Sequence, residues 1–276
     1  MAGLKKILKR LKKVTPVYIP VYKNSLLEGK TALITGGSRG IGFAIAESFL
    51  DAGAQIIICG RDQDALDKAK KQLCIKAANN NSVDYCVLDL TKIDETRATV
   101  LELVQRRSID ILVNNAGVSN KKTFDHMTEA EYDLVMDTNL KGVYFLSQTI
   151  AEYMIKNQVK GNILNIGSSS GKRPATLPYT LSKWGIQGLT EGLAKKLIKH
   201  DIVVNGIAPG QTYTSMIRSD SNDLSAPRAP IGRLISPHEI GNMAVIMVSG
   251  LGRSIVGDTV FMTGGSGILT FDDIDY

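Results

Sequence analysis

Short, mostly apolar runs alternate with longer amphipathic segments along the chain from residue 30 onwards. The first two runs cover residues 31–35 and 55–59, and each is too short to form a stable helix. Apolar runs of this length are typical of strands that are buried on both faces of a sheet. Similar runs occur at residues 83–88, 109–113, 162–166, 202–207 and 259–262.

The segments between these runs have apolar residues at the three- and four-residue spacing of helices. They predict helices over residues 40–52, 62–76, 92–106, 128–137, 139–157, 178–199 and 237–249. Strands that alternate with helices form a parallel sheet, and right-handed crossovers place helices on both of its faces. The sequence thus predicts an α/β chain with a single-domain doubly wound Rossmann fold, in which a parallel sheet of about seven strands is flanked by helices.

The start of the chain differs from the rest and predicts a basic amphipathic arm (residues 1–25) before a Rossmann-type domain (residues 26–276). Within residues 1–14, apolar residues recur at helical spacing and cations fill the other face. Pro16 and Pro20 then prevent the helix from continuing. Three interpretations remain open: the arm lies on an anionic membrane surface, packs on a partner subunit, or is a disordered solubilising extension.

The basic charge of the chain belongs to this arm. There are 33 Lys and Arg residues against 27 Asp and Glu residues, which gives a net charge of +6. Six of the cations lie within residues 1–13, and without them 27 basic residues remain against 27 acidic ones. A neutral body argues against nucleic-acid binding. No apolar run approaches the roughly 20 residues of a membrane span, so we expect a cytoplasmic protein, with membrane association through residues 1–14 as the alternative.

Cysteine and histidine patterns favour neither disulfides nor a metal site. Cys59, Cys74 and Cys86 are odd in number and show no C-x-x-C spacing. The three histidines are isolated from them and from one another. We therefore expect reduced thiols and no metal cofactor.

A glycine-rich turn between the first strand and the first helix indicates a nucleotide site. Residues 35–42 read TGGSRGIG, in which Gly36, Gly40 and Gly42 follow a G-x3-G-x-G spacing. Glycines allow the backbone to turn tightly and to approach a pyrophosphate, which then lies at the positive end of the helix. The strand before the turn and the helix after it support this interpretation.

The end of the second strand indicates which dinucleotide is bound. An NAD enzyme places a carboxylate there to accept a hydrogen bond from the ribose 2′-OH, but residues 59–61 read Cys-Gly-Arg. Arg61 and Arg39 could instead meet a 2′-phosphate, because a guanidinium group matches phosphate oxygens well. We therefore expect NADP(H) in preference to NAD(H).

Tyr179 and Lys183 are the strongest candidates for acid–base chemistry. They lie four residues apart at the start of the 178–199 helix, so their side chains share one face. A phenol with a pKa near 10 is a poor catalyst at neutral pH, and an adjacent ammonium group lowers that pKa. Lys183, together with the positive charge of an oxidised nicotinamide, is therefore expected to lower the pKa of Tyr179.

Jointly, these motifs resemble the short-chain dehydrogenase/reductase family. Residues 114–117 read NNAG, Asn139 lies in TNLKG, Ser168 lies in IGSSSG, and residues 209–210 read PG, all in the family's order. The resemblance covers residues 27–267. It implies an NADP(H)-dependent oxidoreductase that transfers a hydride between nicotinamide and a small-molecule carbonyl or secondary alcohol.

The resemblance implies four catalytic residues. Tyr179 would be the general acid in reduction, Lys183 would lower its pKa and bind the nicotinamide ribose, and Ser168 would bind the substrate oxygen. Asn139 would bend its helix and hold a water in a proton relay. Two further serines follow Ser168 directly, but the register of the motif favours Ser168.

The resemblance also implies a set of cofactor-binding residues. Asp89 would meet the adenine, and Asn115 would lie by the adenosine ribose. Thr214 would bind the carboxamide, with help from the Thr212 backbone. The implied set is Gly36, Ser38, Arg39, Gly40, Ile41, Gly42, Arg61, Asp89, Leu90, Asn115, Ala116, Gly117, Tyr179, Lys183, Pro209, Gly210, Thr212 and Thr214.

The long irregular segment at residues 210–236 predicts a lid over the substrate. Within it, Arg218 and Arg228 would meet an anionic substrate or face water, whereas Arg233 is expected to be structural. The sequence leaves open whether the substrate is a 3-oxoacyl carrier-protein thioester or a sugar or polyol. An alternative of another class is a non-catalytic NADP-binding regulator, which would not need the catalytic set.

The expected oligomeric state and the expected subclass of the family are implied by the resemblance alone. A homodimer or homotetramer is expected, in which the 139–157 and 178–199 helices pair across a two-fold axis. Both helices carry apolar residues beyond one stripe, although core packing explains many of these. An epimerase or dehydratase of the extended type would have a different glycine spacing and a larger substrate domain, and neither occurs here.

Overall fold

The computed structural model describes residues 25–77, 82–120, 122–214, 224–226 and 229–266. Within these residues one sheet contains β1 (Thr31–Thr35), β2 (Gln55–Gly60), β3 (Val83–Val87), β4 (Ile111–Asn114), β5 (Asn162–Ile166), β6 (Val203–Pro209) and β7 (Thr259–Met262). The α-helices are α1 (Gly40–Asp51), α2 (Gln63–Ala77), α3 (Ile93–Arg106), α4 (Glu129–Met136), α5 (Gly142–Lys156), α6 (Pro178–Leu197) and α7 (Pro237–Val248).

The strands of the sheet all run parallel, in the order β3-β2-β1-β4-β5-β6-β7. From β1 the chain winds outward to β3, returns to β4 on the other side of β1, and then winds outward to β7. At the reversal between β1 and β4, a crevice opens beyond the carboxyl ends of both strands. The arrangement confirms the predicted doubly wound fold and places the glycine turn, which follows β1, at this crevice.

The sheet is buried because helices cover both of its faces. Successive residues of a strand face opposite sides, so Ile34 of β1 packs with Phe49 of α1 and Val245 of α7. Its neighbour Leu33 packs on the other side with Leu146 of α5. The two apolar clusters explain why the strand sequences are mostly apolar.

Four predicted boundaries differ from the structure by two residues or more. β4 begins at Ile111 instead of residue 109, although the backbone of Asp110 already bonds to Thr31 and Asn162 at 2.9 Å. α5 begins at Gly142 instead of residue 139, because a π-helical turn precedes it. α6 ends two residues early and β6 ends two residues late.

Parts of the predicted arm and lid lie outside the described residues. The arm is described only at Ser25, and the predicted lid only at residues 210–214, 224–226 and 229–236. Arg218 and Arg228 fall outside, so their roles and the interpretations of the arm stay predictions. Among the described residues, none of the helices combines the length and the apolar character needed to cross a bilayer.

Candidate active site

The carboxyl ends of four strands bring the predicted site residues to one edge of the sheet. The glycine turn follows β1, the NNAG motif straddles the end of β4, Ser168 follows β5, and the Pro-Gly pair closes β6. Parallel strands end at the same edge. The fold thereby gathers residues that are far apart in the chain, such as Gly36 and Gly210.

The glycine turn packs tightly against the end of β1. Gly36 and Gly40 have φ angles of +64° and +58°, a region that favours glycine. A Cβ atom at Gly42 would lie 2.4 Å from the carbonyl oxygen of Gly36, so no side chain fits there. Ser38 and Ile41 are half-buried in the same turn. A helix cannot pair its first backbone N–H groups internally. The first N–H groups of α1 therefore lie unpaired within the helix at the crevice.

Thr35 and Asn115 lock this turn to β4. The Thr35 hydroxyl oxygen accepts hydrogen bonds from the backbone N–H groups of Asn115 and Ala116 at 3.0 and 3.1 Å. The side-chain amide of Asn115 donates to the carbonyls of Thr35 and Gly36 at 2.9 and 3.2 Å. The predicted contact of Asn115 with an adenosine ribose stays a prediction. Because the amide nitrogen is engaged in these bonds, the contact would be made by Oδ1 or by the backbone of Asn115.

Arg39 lies in the glycine turn after β1, Arg61 directly follows β2, and Asp89 lies shortly after β3. Both arginines are exposed. Asp89 accepts hydrogen bonds from the backbone N–H and the hydroxyl of Thr91 at 3.0 and 2.8 Å. Partial burial acts to raise the pKa of the Asp89 carboxyl, but these bonds and the positive charge of Arg61 outweigh it and lower the pKa.

The segment after β6 returns to the glycine turn. The Gly210 N–H donates to the carbonyl of Met262 at 2.8 Å, and the buried Thr212 donates its hydroxyl to Gly210 at 3.1 Å. The methyl group of Thr214 would lie 3.4 Å from a Cβ atom at Gly40. The predicted carboxamide-binding segment therefore faces the predicted pyrophosphate-binding turn.

Asn139 lies in the π-helical turn Asp137–Lys141 that separates α4 from α5. Such turns insert one residue into a helix and often mark functional sites, so Asn139 lies at an interruption of the regular helix, and its predicted role in bending the helix stays a prediction. The Asn139 amide donates to the Val118 carbonyl and its oxygen accepts from the Val118 N–H, both at 2.8 Å. A Cβ atom at Gly117 would lie 3.3 Å from Asn139 Oδ1 and 3.8 Å from Lys183 Nζ, which brings these three residues together.

Tyr179 and Ser168 form the centre of the site. Tyr179 is in the first turn of α6, and Ser168 follows β5. Burial raises the pKa of the Tyr179 phenol, and its hydrogen bond with Ser168 opposes this rise only in part. Without the nucleotide, desolvation of the phenol therefore outweighs the favourable contacts, and the pKa lies above its ordinary value. The prediction that Lys183 and the positive charge of an oxidised nicotinamide together lower the pKa of Tyr179 stays a prediction.

Lys183 is 7% exposed and donates a hydrogen bond to the carbonyl of Ile166 at 2.9 Å. Its ammonium nitrogen lies 5.7 Å from the centroid of the Tyr179 ring. Burial lowers the pKa of Lys183 from 10.5 to about 8, so the side chain remains an ammonium at neutral pH. This buried positive charge lies beside a half-buried phenol.

A buried polar network that sequence reasoning missed lies directly beneath the site. The Asn114 amide of β4 donates to the Ser147 hydroxyl at 2.9 Å and to the Asn165 oxygen of β5 at 2.8 Å. The Asn165 amide donates to the Thr190 hydroxyl of α6 at 2.9 Å. The sequence feature that could have indicated this network is an asparagine within each of two mostly apolar strands. A buried asparagine side chain needs hydrogen-bond partners that are also buried.

The predicted lid has a fixed base. The Arg233 guanidinium donates to both carboxylate oxygens of Glu239 at 2.8 and 2.9 Å. Glu239 also accepts from the Ser236 N–H at 2.8 Å and so caps α7. Arg233 is therefore structural, as expected.

The remaining members of the predicted set line the same crevice. Leu90 follows β3 and is buried, and its carbonyl oxygen would lie 2.5 Å from a Cβ atom at Gly142. Ala116 is half-buried, with its Cα 3.0 Å from a Cβ atom at Gly36. Pro209 is buried at the end of β6.

Comparisons with known proteins agree with this arrangement. A family model described as short chain dehydrogenase matches residues 30–225. A 3-oxoacyl-[acyl-carrier-protein] reductase of Chlamydia muridarum is 36% identical over 88% of this chain and 99% of its own length. A gluconate 5-dehydrogenase of Gluconobacter oxydans is 32% identical over 87% of this chain and 95% of its own.

A solved structure of similar fold adds a bound nucleotide to the comparison. The gluconate 5-dehydrogenase of Burkholderia cenocepacia, determined in complex with NADP and tartrate, has a TM-score of 0.79 and 31% identity. The match covers 88% of this chain and 97% of that one. With its parallel seven-stranded sheet, its glycine turn and these relatives, the chain belongs to the short-chain dehydrogenase family and is an oxidoreductase of that family.

Proposed function

We propose that the protein is an NADP(H)-dependent enzyme that transfers a hydride between nicotinamide and a carbonyl or secondary alcohol. Tyr179 is its general acid in reduction and its general base in oxidation. The observation that carries the proposal is a buried ammonium group, Lys183, whose nitrogen lies 5.7 Å from the ring centroid of the half-buried Tyr179, together with the interaction between the Tyr179 phenol and Ser168. A protein that only bound a nucleotide would have no use for this destabilising arrangement.

The residues present fit an NADP(H) molecule. The glycine turn leaves no room for side chains and lies at the start of α1, as a pyrophosphate requires. Arg39 and Arg61 are exposed at the ends of β1 and β2, where a 2′-phosphate would lie. Asp89, Asn115 and the Thr212–Thr214 segment would complete the contacts to adenine, ribose and carboxamide. The related gluconate 5-dehydrogenase contains NADP, in agreement with this assignment.

The proposed mechanism uses this chain's residues for proton transfer and orientation. NADPH supplies the hydride when it is bound. Ser168 donates a hydrogen bond to the substrate carbonyl oxygen, and Tyr179 gives its phenolic proton to that oxygen as the carbonyl carbon is reduced. The raised pKa of Tyr179 keeps this proton on the phenol at neutral pH. Lys183 stabilises the phenolate that is left, and Asn139 holds the water that returns a proton.

The proposed assembly is a homodimer or homotetramer built on α5 and α6. Tyr144 and Phe145 of α5 and Leu181 and Trp184 of α6 are each more than a third exposed. Large apolar side chains exposed together on adjacent helices favour burial against another subunit. This supports the expected pairing of the two helices.

The first prediction concerns turnover. Purified protein is expected to oxidise NADPH with an acetoacetyl thioester or with a member of a keto-sugar panel. Tyr179→Phe is expected to lower kcat by about 10²–10⁴, because the proton donor is lost, with NADPH binding unchanged. The matched control is Tyr132→Phe, at a half-exposed tyrosine of α4. Tight NADPH binding without turnover of any ketone by the wild type would favour the regulator, and an active Tyr179→Phe would contradict the role of Tyr179.

The second prediction concerns the choice of nucleotide. Arg39→Ala and Arg61→Ala are each expected to weaken NADPH binding about tenfold, which corresponds to about 1.4 kcal/mol. NADH binding should hardly change, because NADH lacks the phosphate. Calorimetric titration at one salt concentration measures both, with Arg106→Ala on the exposed face of α3 as the control. Equal affinity of the wild type for NADH and NADPH would refute the role of the arginines.

The third prediction concerns stability. Because the pKa of Lys183 falls from 10.5 unfolded to about 8 folded, the unfolded state binds more protons between these values, and stability rises with pH across that window. At pH 7 the buried charge costs about 3 kcal/mol. Loss of the bond to Ile166 costs about 1 kcal/mol, so Lys183→Met should raise the free energy of unfolding by about 2 kcal/mol at pH 7.

The stabilisation of Lys183→Met relative to the wild type should shrink as the pH rises from 8 towards 10.5. The variant should also lose turnover. Urea unfolding of both proteins at the same protein concentration, at pH 7 and pH 10, measures the difference in the free energy of unfolding. Lys195→Met, at an exposed position of the same helix, is the control. A Lys183→Met variant that is less stable than the wild type at pH 7 would show that burial of the charge carries no such cost.

A further inference from the structure

A small cavity adjoins Ser168 and Lys183, between α6 and strands β5, β6 and β7. Its wall also includes Asn165, Gln187 and Thr259. The cavity offers about 10 Å³ to the centre of a water molecule, which is room for one ordered water. Asn139, whose expected relay water belongs to the proposed mechanism, is not part of this wall. The cavity is therefore a separate space next to the proton-transfer residues.

Gln187 places a buried polar atom without a partner at this cavity. Its Oε1 is buried and has no hydrogen-bond partner among the described residues. A buried amide oxygen that lacks a partner costs about 1–3 kcal/mol. A bound water removes this cost for either orientation of the amide, since it can donate to Oε1 or accept from Nε2.

The position of Gln187 on α6 ties it to the proposed chemistry. It follows Lys183 by four residues and Tyr179 by eight, so all three side chains share one face of the helix. The Lys183 ammonium has three N–H donors, and one of them is used by the Ile166 carbonyl at 2.9 Å. A donor therefore remains for a water in the shared cavity.

The other polar residues of the cavity wall differ in whether their hydrogen-bonding groups already have partners. The Thr190 hydroxyl accepts from Asn165 and donates to Ile186 at 2.9 and 2.8 Å, so its only proton is already used. Ser168 and Thr259, which carry hydroxyl groups, also line the space. Together with Gln187 and Lys183, they supply the two to four polar partners that a buried water needs.

We propose that Gln187 holds one buried water in this cavity and, through it, positions the Lys183 ammonium for proton transfer. Gln187 is thus a positioning residue that acts through Lys183 and does not touch the substrate. The catalytic consequence rests on the proposed function, whereas the water site itself does not.

The titratable groups around the cavity make the effect measurable at Lys183. They are Lys183 itself, the Tyr179 phenol, and Lys172, whose ammonium lies 3.8 Å from the ring centroid of the cavity-lining Phe261. Burial is what lowers the pKa of Lys183. A water that accepts a hydrogen bond from the ammonium favours the charged form, so its removal should lower the pKa further.

The water is tested by crystallography of the full-length, NADP⁺-bound protein. An ordered water within hydrogen-bond distance of the Gln187 amide is expected in the wild type and in Gln187→Glu, which keeps an acceptor. It should be absent in Gln187→Met, which keeps the side-chain length and removes the polar atoms. A dry cavity in the wild type, or a water that persists unmoved in Gln187→Met, would overturn the proposal.

The positioning role is tested by NMR titration of the same proteins with ¹³C-labelled lysine, with the Lys183 signal assigned by its loss in Lys183→Met. Relative to the wild type, the midpoint should fall by about half a unit or more in Gln187→Met and rise in Gln187→Glu. Gln105→Met, at an exposed position of α3, should leave it unchanged. If Gln187→Met does not fold, the rise in Gln187→Glu carries the test.

An unchanged midpoint in the folded Gln187 variants would leave Gln187 with a purely structural role and refute the proposal. Neither experiment requires turnover. A failure of the proposed function, seen as no reduction of any ketone, is therefore distinguishable from a failure of the water site.

Discussion

Burial of the Lys183 ammonium is the constraint on which the rest of the site depends. A charge that is 7% exposed and held by one backbone carbonyl destabilises the folded chain by about 3 kcal/mol at neutral pH. The fully buried parallel strands and the two apolar clusters against them offset this cost. The fold thereby supports a local arrangement that would be unfavourable in isolation.

The polar groups beneath the crevice hold the helix that carries the buried Lys183 ammonium in place. Asn114, Ser147, Asn165 and Thr190 connect β4, β5, α5 and α6 through hydrogen bonds of 2.8–2.9 Å. Hydrogen bonds between buried side chains fix the relative position of the elements that carry them. α6 carries both Tyr179 and Lys183, so fixing this helix to the sheet fixes the distance between the phenol, the ammonium group and the crevice.

Periodicity was sufficient to predict the fold, because the strands are mostly apolar and the helices are amphipathic. All seven strands were predicted, and most boundaries agreed within one residue. The exceptions have local causes that periodicity does not encode. The π-helical turn at Asp137–Lys141, for example, makes α5 begin three residues later than predicted.

The candidate site could be predicted only in part. Motif spacing identified the turn, Asn139, Ser168, Tyr179 and Lys183, and the structure brings these residues to one edge of the sheet. The direction in which the pKa of Tyr179 shifts depends on how deeply the phenol is buried. The sequence pattern does not indicate the depth of burial of a single side chain. The role of Gln187 likewise depends on a cavity formed by three strands that are distant in sequence.

The most direct test of this account is the pKa of the Tyr179 phenol with and without NADP⁺. An ultraviolet difference titration of the wild type against Tyr179→Phe isolates the signal of this one tyrosine. The account predicts a pKa above that of an ordinary tyrosine in the nucleotide-free protein, because burial dominates. It also predicts a clear fall when NADP⁺ adds its positive charge beside Lys183. A phenol that is already acidic without the nucleotide, or one whose pKa NADP⁺ does not move, would contradict it.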